Sequence, residues 1–278
     1  MSPHRPDTIR ALRSADVDAA VAVNEAVGWQ RRRPLFDFYA ARDDSALLVA
    51  ERDGEIVGTA GATVFPGPAI TGWVHGIVVR PERQRTGLGA RLTEAAIAWL
   101  RDRAASTVLL LATDAGRPVY ERLGFAAGER YGLFRWPADT TAGVTVAPLQ
   151  PHHLPAVHAL DREATGEDRA GFLDALATSG WVATRGADVV GFHLTCPWGG
   201  GPTIARDPAT GLGLLRLSAS VQPGPTRGVG IPEPNAEAVR YLAGVGIGAE
   251  RFVTRMWLGV PPRWHPDMIF GVFNFGVA

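Results

Sequence analysis

The residues with the most chemistry to offer lie between His75 and Tyr120. Gln84, Gly87 and Gly89 form a glycine loop within an arginine-rich run (Arg80, Arg83, Arg85) and directly ahead of an apolar-periodic segment. A helix N-terminus leaves backbone N–H groups unpaired and carries partial positive charge. Glycines there let a phosphate approach without meeting a Cβ. The bland alternative is a tight turn before a helix, with no ligand. Tyr120 offers a phenolic proton, or is a core tyrosine with its hydroxyl satisfied. Histidine as a residue type suits proton transfer near neutrality, so His75 is a general-base candidate, or is simply a strand histidine on the sheet surface. Glu25 and Asp37 could bind or deprotonate an amine, or are solvated helix carboxylates.

Other chemistries fit poorly. A dinucleotide fingerprint would want glycine at Leu92 and a βαβ start near the N-terminus. A nucleotide-binding loop ending in Gly-Lys is impossible, because all 28 basic residues are arginines. Cys196, the single cysteine, sits beside Pro197 and reads as a small hydrophobe. His152-His153 gathers too few ligands for a metal site, so no metal is expected.

The elements that must position these residues follow from periodicity. Gly76 to Arg80 ends a strand that begins near Thr71 and feeds the loop. Leu88, Leu92, Ala95, Ala96, Trp99 and Leu100 recur at helical spacing and predict one buried stripe. Val108 to Ala112 reads as a buried strand, Val119 to Leu123 as a short helix ended by Gly124, and Phe125 to Trp136 as returning strand. Upstream, Thr8 to Leu12 predicts a strand, with Ser14 as N-cap of a helix running toward Gly28. Leu35 to Ala41 predicts a second helix, and Asp53-Gly54 a hairpin turn.

After Pro137 to Gly143, a linker candidate, the sequence begins again. Val182 to Gly191 resembles Val49 to Gly58, Thr210-Gly211-Leu212-Gly213 repeats Thr86-Gly87-Leu88-Gly89, and Tyr241 with Trp257 repeats Tyr120 with Trp136. Ordered similarities with slowly shrinking offsets imply an internal duplication. The division expected is 1–137 and 142–278. The second copy is degenerate, with Pro208 standing where Gln84 stands and removing one N–H from any anion nest.

Formal net charge is zero, which argues against a broad nucleic-acid surface. One cysteine allows no internal disulfide, and no apolar run suggests a leader or a membrane span. A cytoplasmic protein without membrane partner is expected, as monomer or homodimer.

Gln84-x-x-Gly87-x-Gly89 after a strand, with Tyr120-Glu121-Arg122-Leu123-Gly124-Phe125 downstream, resembles the GNAT (Gcn5-related) N-acetyltransferase superfamily. Residues 142–278 are similar to the C-terminal domain of YitH-like tandem acetyltransferases, on Asp161-Arg162 to Asp168-Arg169 and Pro266 to Phe275. The resemblance implies an α/β fold of two tandem GNAT-like domains, each a mixed, splayed β-sheet flanked by helices. It implies acetyl-CoA as acyl donor, held by Gln84, Arg85, Thr86, Gly87, Leu88, Gly89 and Ala90, with its pantetheine arm along Ile77, Val78 and Val79. Tyr120 would protonate the leaving thiolate, and His75 would be the base. The family's usual asparagine after the strand preceding the tyrosine helix is absent. Asp114-Ala115-Gly116-Arg117 stands there, and Gly116 and Arg117 become the candidates for that contact. Trp29 and Glu25 border the acceptor side, and the acceptor is an amine of a small molecule or peptide. The second domain would complete the substrate cleft and support the first. Two alternatives remain at this point: a non-catalytic acyl-CoA sensor, and an acetyltransferase acting on an aminoglycoside-like drug.

Overall fold

The structure, a computed structural model, describes residues 7–29, 33–67, 69–136, 144–177, 179–221 and 227–277. The proposed linker 137–143 lies outside the described residues. The chain divides into two compact units: residues 1–110, 118–126 and 257–260, and residues 111–117, 127–256 and 261–278.

The first unit runs β1 (Thr8–Ala11), α1 (Val17–Glu25), α2 (Arg33–Ala40), β2 (Ser45–Arg52), β3 (Glu55–Phe65), β4 (Thr71–Val79), α3 (Leu88–Arg101), β5 (Thr107–Ala112) and α4 (Arg117–Arg122). Its strands lie in the order β1-β2-β3-β4-β5, antiparallel except for β4 with β5. Asp53 and Gly54 both take positive φ in the turn joining β2 to β3, as a two-residue hairpin requires. The start of α1 differs from expectation. Ser14 opens a short 3-10 turn, and the Asp16 carboxylate accepts the Arg13 N–H at 2.8 Å.

α3 buries Leu88, Leu92, Ala96 and Leu100 on the sheet, together with Thr93. Trp99 sits at the edge of that stripe, under the Arg103 guanidinium at 3.7 Å. The opposite face carries α1 and α2, with Val17, Ala20, Val23 and Phe36 packed on Val49, Ile56 and Val78.

β4 is the irregular strand. Its register against β3 passes from Thr59↔Val78 to Gly61↔His75, so Gly76 and Ile77 oppose Ala60 alone. Gly76 takes φ +60 in this bulge. The extra residue inverts the alternation of faces. Before it, a Cβ on Gly72 would meet Leu100 of α3 at 2.6 Å, while His75 stacks on Tyr39 of α2. After it, Ile77 and Val79 pack with Leu88 and Leu92, and Val78 packs on the α1 side. The Thr59 hydroxyl donates to the Gly76 carbonyl at 3.0 Å, and Asn24 Nδ2 donates to Thr59 Oγ1 at 3.2 Å. Parallel pairing of β4 with β5 covers Thr71↔Thr107 to Trp73↔Leu109 and stops. Beyond it the two strands splay.

The second unit holds β6 (Ala126–Trp136), β7 (Ala147–Pro148), α5 (Leu154–Thr165), α6 (Ala170–Asp174), β8 (Gly180–Arg185), β9 (Asp188–Leu194), β10 (Thr203–Ala205), α7 (Pro208–Val221), β11 (Arg227–Pro232), α8 (Ala236–Gly244), β12 (Ala249–Leu258) and β13 (Ile269–Gly271). One sheet runs β13-β10-β9-β8-β7; β6 lies between β12 and β11. β6 precedes the linker in sequence yet pairs with β11 along its length, Tyr131↔Pro232 to Trp136↔Arg227. Asp161 and Arg169 form a buried, two-pronged ion pair at 2.6 and 3.0 Å.

Two stability outcomes follow. Gly76→Ala places a side chain at φ +60 and costs about 1–2 kcal/mol; chemical denaturation should show a lower midpoint, and an unchanged one would contradict the bulge. Asp161→Leu strands the Arg169 guanidinium in the interior and costs roughly 3–5 kcal/mol, whereas replacing both residues with apolar ones is far milder. Equal losses in the single and double variants would refute that difference.

Candidate functional site

The loop between β4 and α3 is shaped by its own main chain. Arg85 and Gly87 take positive φ, +60 and +85. The Gln84 amide donates to the Val79 carbonyl at 3.1 Å, and the Thr86 hydroxyl to the Arg83 carbonyl at 2.8 Å. The first of these bonds ties the loop to the end of β4. No described side chain caps α3. Gln84, Arg85, Thr86 and Gly87 are exposed, Gly89 and Ala90 half-buried, and only Leu88 is anchored in the core. A Cβ on Gly87 would meet nothing within 4 Å, and one on Gly89 only Val79 Cγ2 at 3.9 Å. Gly87 is required by its φ. Nothing in the folded chain requires Gly89, so its smallness leaves space above the helix terminus. Ile77, Val78 and Val79 form the stretch of β4 past the splay.

Tyr120 lies in α4, whose end is shaped by Gly124 at φ +90 and by the Phe125 N–H donating back to the Tyr120 carbonyl at 3.0 Å. Its ring meets Phe125 edge-on at 6.1 Å. Among the described residues its hydroxyl has no hydrogen-bond partner. Burial pushes its pKa up to about 12, because the phenolate is the form that loses solvation. A phenol so placed stays protonated across the working range of pH.

Gly116 and Arg117 fall in the second compact unit. Both backbone N–H groups are taken by the Thr113 carbonyl, at 3.0 and 2.9 Å, with Thr113 Oγ1 also 3.2 Å from Gly116 N. The main-chain donors there are spent within the turn.

His75 is 7% exposed. It stacks on Tyr39 at 4.2 Å, lies over Gly61 where a Cβ would come within 2.2 Å of its ring, and shares a hydrogen bond with Thr63 Oγ1 at 3.1 Å. The histidine is thus fixed from three sides immediately ahead of the bulge. Trp29 packs into the α1 cluster that also holds Val78. Glu25 is exposed on the last turn of α1.

The second copy builds the equivalent segment differently. Thr210, Gly211, Leu212 and Gly213 lie inside α7. Asp207 caps that helix, accepting from Thr210 N at 3.0 Å and from Thr210 Oγ1 at 2.9 Å. A Cβ on Gly211 would strike Phe270 at 2.1 Å, and one on Gly213 Val144 at 2.4 Å. These glycines serve close packing.

Asn24, Thr59, Thr63, Thr113 and Asp207 shape these places without having stood out in the sequence. Asn24 carried a faint signal, a polar residue on the apolar face of its helix. Among the described residues no cluster of histidine, cysteine and carboxylate suits a metal ion. No described helix is long and apolar enough to cross a membrane.

Comparison with known proteins shows the family. The Acetyltransferase (GNAT) family profile matches residues 13–125, and an Acetyltransferase (GNAT) domain profile matches residues 157–271. A mycothiol acetyltransferase of Thermomonospora curvata is 40% identical over 86 residues, 30% of this chain and 28% of that protein. One from Streptomyces avermitilis is 36% identical over 148 residues, 48% of each. The chain thus spans half or less of these curated relatives. A solved chain of Pyrococcus horikoshii, provisionally assigned as an acetyltransferase, superposes with TM-score 0.84 over 99% of this chain and 97% of its own, at 21% identity. That likeness shows the fold. The two profile matches, one on each copy, take in the greater part of the sequence, and the chain belongs to the GNAT acetyltransferase family as a tandem of two such domains.

Proposed function

We propose that this chain is an N-acetyltransferase that moves an acetyl group from acetyl-CoA to an amine of a small molecule or peptide, by direct attack and without a covalent enzyme intermediate. The observation that carries the reading is the N-terminus of α3, whose N-cap Gly87 lies in the left-handed region and gives it no side-chain cap, behind an exposed glycine loop. The residues fit a phosphate-bearing donor, because the Cβ positions of Gly87 and Gly89 look into open space. The Gln84 N–H is given to the Pro81 carbonyl at 3.3 Å, so backbone N–H groups of residues 85–90 would hold the pyrophosphate, and the stretch Ile77 to Val79 would pair with the pantetheine arm. The bound thioester supplies the activated acetyl group.

The chain's own residues supply the proton chemistry. Tyr120 holds a proton at Oη for the departing thiolate, and its raised pKa keeps that proton in place. His75 is the base that keeps the acceptor amine neutral. Gly116 has its N–H spent on Thr113, so any contact with the donor there falls to the Arg117 side chain. Trp29 and Glu25 lie on the α1 side, assigned here to the acceptor. The name of the curated relatives makes a small-molecule acceptor the first to test. The second copy, with its helix capped by Asp207, is read as binding no acyl-CoA. The burial of His75 favours one other reading, an acyl-CoA-binding module without turnover.

The defining experiment mixes the chain with acetyl-CoA and an amine panel and follows free thiol. Absence of CoA binding by calorimetry would sink the proposal. Gly89→Ala gains helix propensity of roughly 0.5–1 kcal/mol, so it should melt slightly higher while binding acetyl-CoA more weakly; unchanged binding would count against the loop. Tyr120→Phe should keep acetyl-CoA affinity and lose on the order of 10²-fold in kcat. With its pKa raised, the Tyr120 acid form persists well above pH 8, so wild-type kcat should not fall between about pH 8 and 10. An alkaline decline in wild type that Tyr120→Phe abolishes would contradict the raised pKa, and one that persists in Tyr120→Phe would assign the proton to another group.

A further inference from the structure

A histidine that takes up a proton in a packed interior must lose it before the next turnover. His75 has a hydrogen-bonded route outward. His75 Nε2 lies 3.1 Å from Thr63 Oγ1, Thr63 Oγ1 lies 3.0 Å from Ser45 Oγ, and Ser45 Oγ donates to Asp44 Oδ1 at 3.1 Å. Thr63 is fully buried, whereas Ser45 and Asp44 are half-buried. We propose that His75, Thr63, Ser45 and Asp44 form a proton relay that carries the acceptor amine's proton from beside the β4 bulge to the surface. The relay rests on the acetyltransferase reading given above.

The far end fixes the polarity of every link. An ionised carboxylate only accepts, so Ser45 spends its one O–H on Asp44. Ser45 Oγ therefore accepts from Thr63, and Thr63 Oγ1 accepts from His75. That requires the Nε2–H tautomer of His75 and leaves Nδ1 as the basic ring nitrogen. Uptake of a proton at Nδ1 then releases the one on Nε2. The N–H bond at Nε2 breaks as an O–H bond forms on Thr63, Thr63 passes its own proton to Ser45, and Ser45 passes its own to Asp44. Asp44 gives that proton to water, a half-turn of the imidazole returns its remaining proton to the Thr63 side and frees the base nitrogen, and the net change is one proton moved from amine to solvent. One neighbour holds the exit in place: Arg42 Nε donates to Asp44 Oδ1 at 2.8 Å and a second Arg42 nitrogen to Oδ2, which fixes the carboxylate. Ser45 and Tyr39, the ring stacked on His75, both line a cleft of about 560 Å³ that also meets Asp37.

Thr63→Val and Ser45→Ala remove single links, and Thr63→Ser keeps one. In the full chain, with acetyl-CoA and an amine that the wild type acetylates, the first two should lose about tenfold in kcat. KM for acetyl-CoA should not change. Thr63→Ser should retain turnover, and added imidazole buffer should raise the rate of Thr63→Val and Ser45→Ala but not of wild type. Wild-type turnover matched by both Thr63→Val and Ser45→Ala overturns the relay alone. So does a loss in those variants that Thr63→Ser shares and buffer does not relieve. A wild type that binds acetyl-CoA yet acetylates no amine overturns the enzyme reading, and the relay with it.

Discussion

The bulge at Gly76 is the constraint on which the first unit depends. A regular β4 would present its odd-numbered residues to one face throughout and would have no reason to leave β5. One extra residue turns Ile77 and Val79 toward α3 while His75 remains against α2. The twist added by a bulge also separates neighbouring strands, and pairing with β5 ends at Trp73. Such an irregularity persists only where the surroundings determine it. Here the Asn24 amide and the Thr59 hydroxyl do so, reaching from α1 through β3 to the Gly76 carbonyl. The Asn24 amide and the Thr59 hydroxyl are buried, so breaking the link between them leaves a buried polar atom without that partner.

The same strand sets the electrostatics at its end. Val79 accepts from Gln84, and this bond ties the loop to the end of the strand just ahead of α3. The contrast with α7 is instructive because the tetrapeptide Thr-Gly-Leu-Gly is identical in both places. In one copy it straddles the helix start with Gly87 in the left-handed region. In the other it lies within a helix begun at Pro208, and Asp207 satisfies the terminus from inside. Proline prefers the first turn of a helix, and with Pro208 and Asp207 at that start the tetrapeptide falls inside the helix, where its glycines serve packing.

These cases mark what a sequence can and cannot disclose. The loop, the hairpin at Asp53-Gly54 and the turn at Gly124 were legible because glycine at a required φ leaves a local signature. The stripe on α3 was legible because its period is local too, apart from Trp99, whose ring is covered by Arg103 rather than by the sheet. The bulge was not legible. Gly76 reads as an ordinary strand glycine, and its meaning depends on a register against β3 that only the tertiary structure sets. The Thr113 bonds that occupy Gly116 and Arg117 were missed for a related reason, since a threonine ahead of a turn has several possible partners. The pairing of β6 with β11 joins residues far apart in sequence, and no local pattern announces it.

His75 shows how the two kinds of information meet. Its residue type suggested proton transfer, and its burial argues against free exchange with solvent. Those statements conflict only if the proton must leave as it came. Thr63 and Ser45 are ordinary strand residues by type, and each faces its neighbour because β2, β3 and β4 are in register at Ser45↔Thr63 and Gly61↔His75. A slip of one residue between β2 and β3 would turn Ser45 to the other face and cut the chain of hydroxyls. The bulge lies on the far side of His75 from these pairs, so it reorients the donor-facing end of β4 while leaving the register behind the histidine intact. One strand thereby serves two demands: irregular ahead of His75, where the proposed donor would need room, and regular behind it, where the proposed relay would need a path.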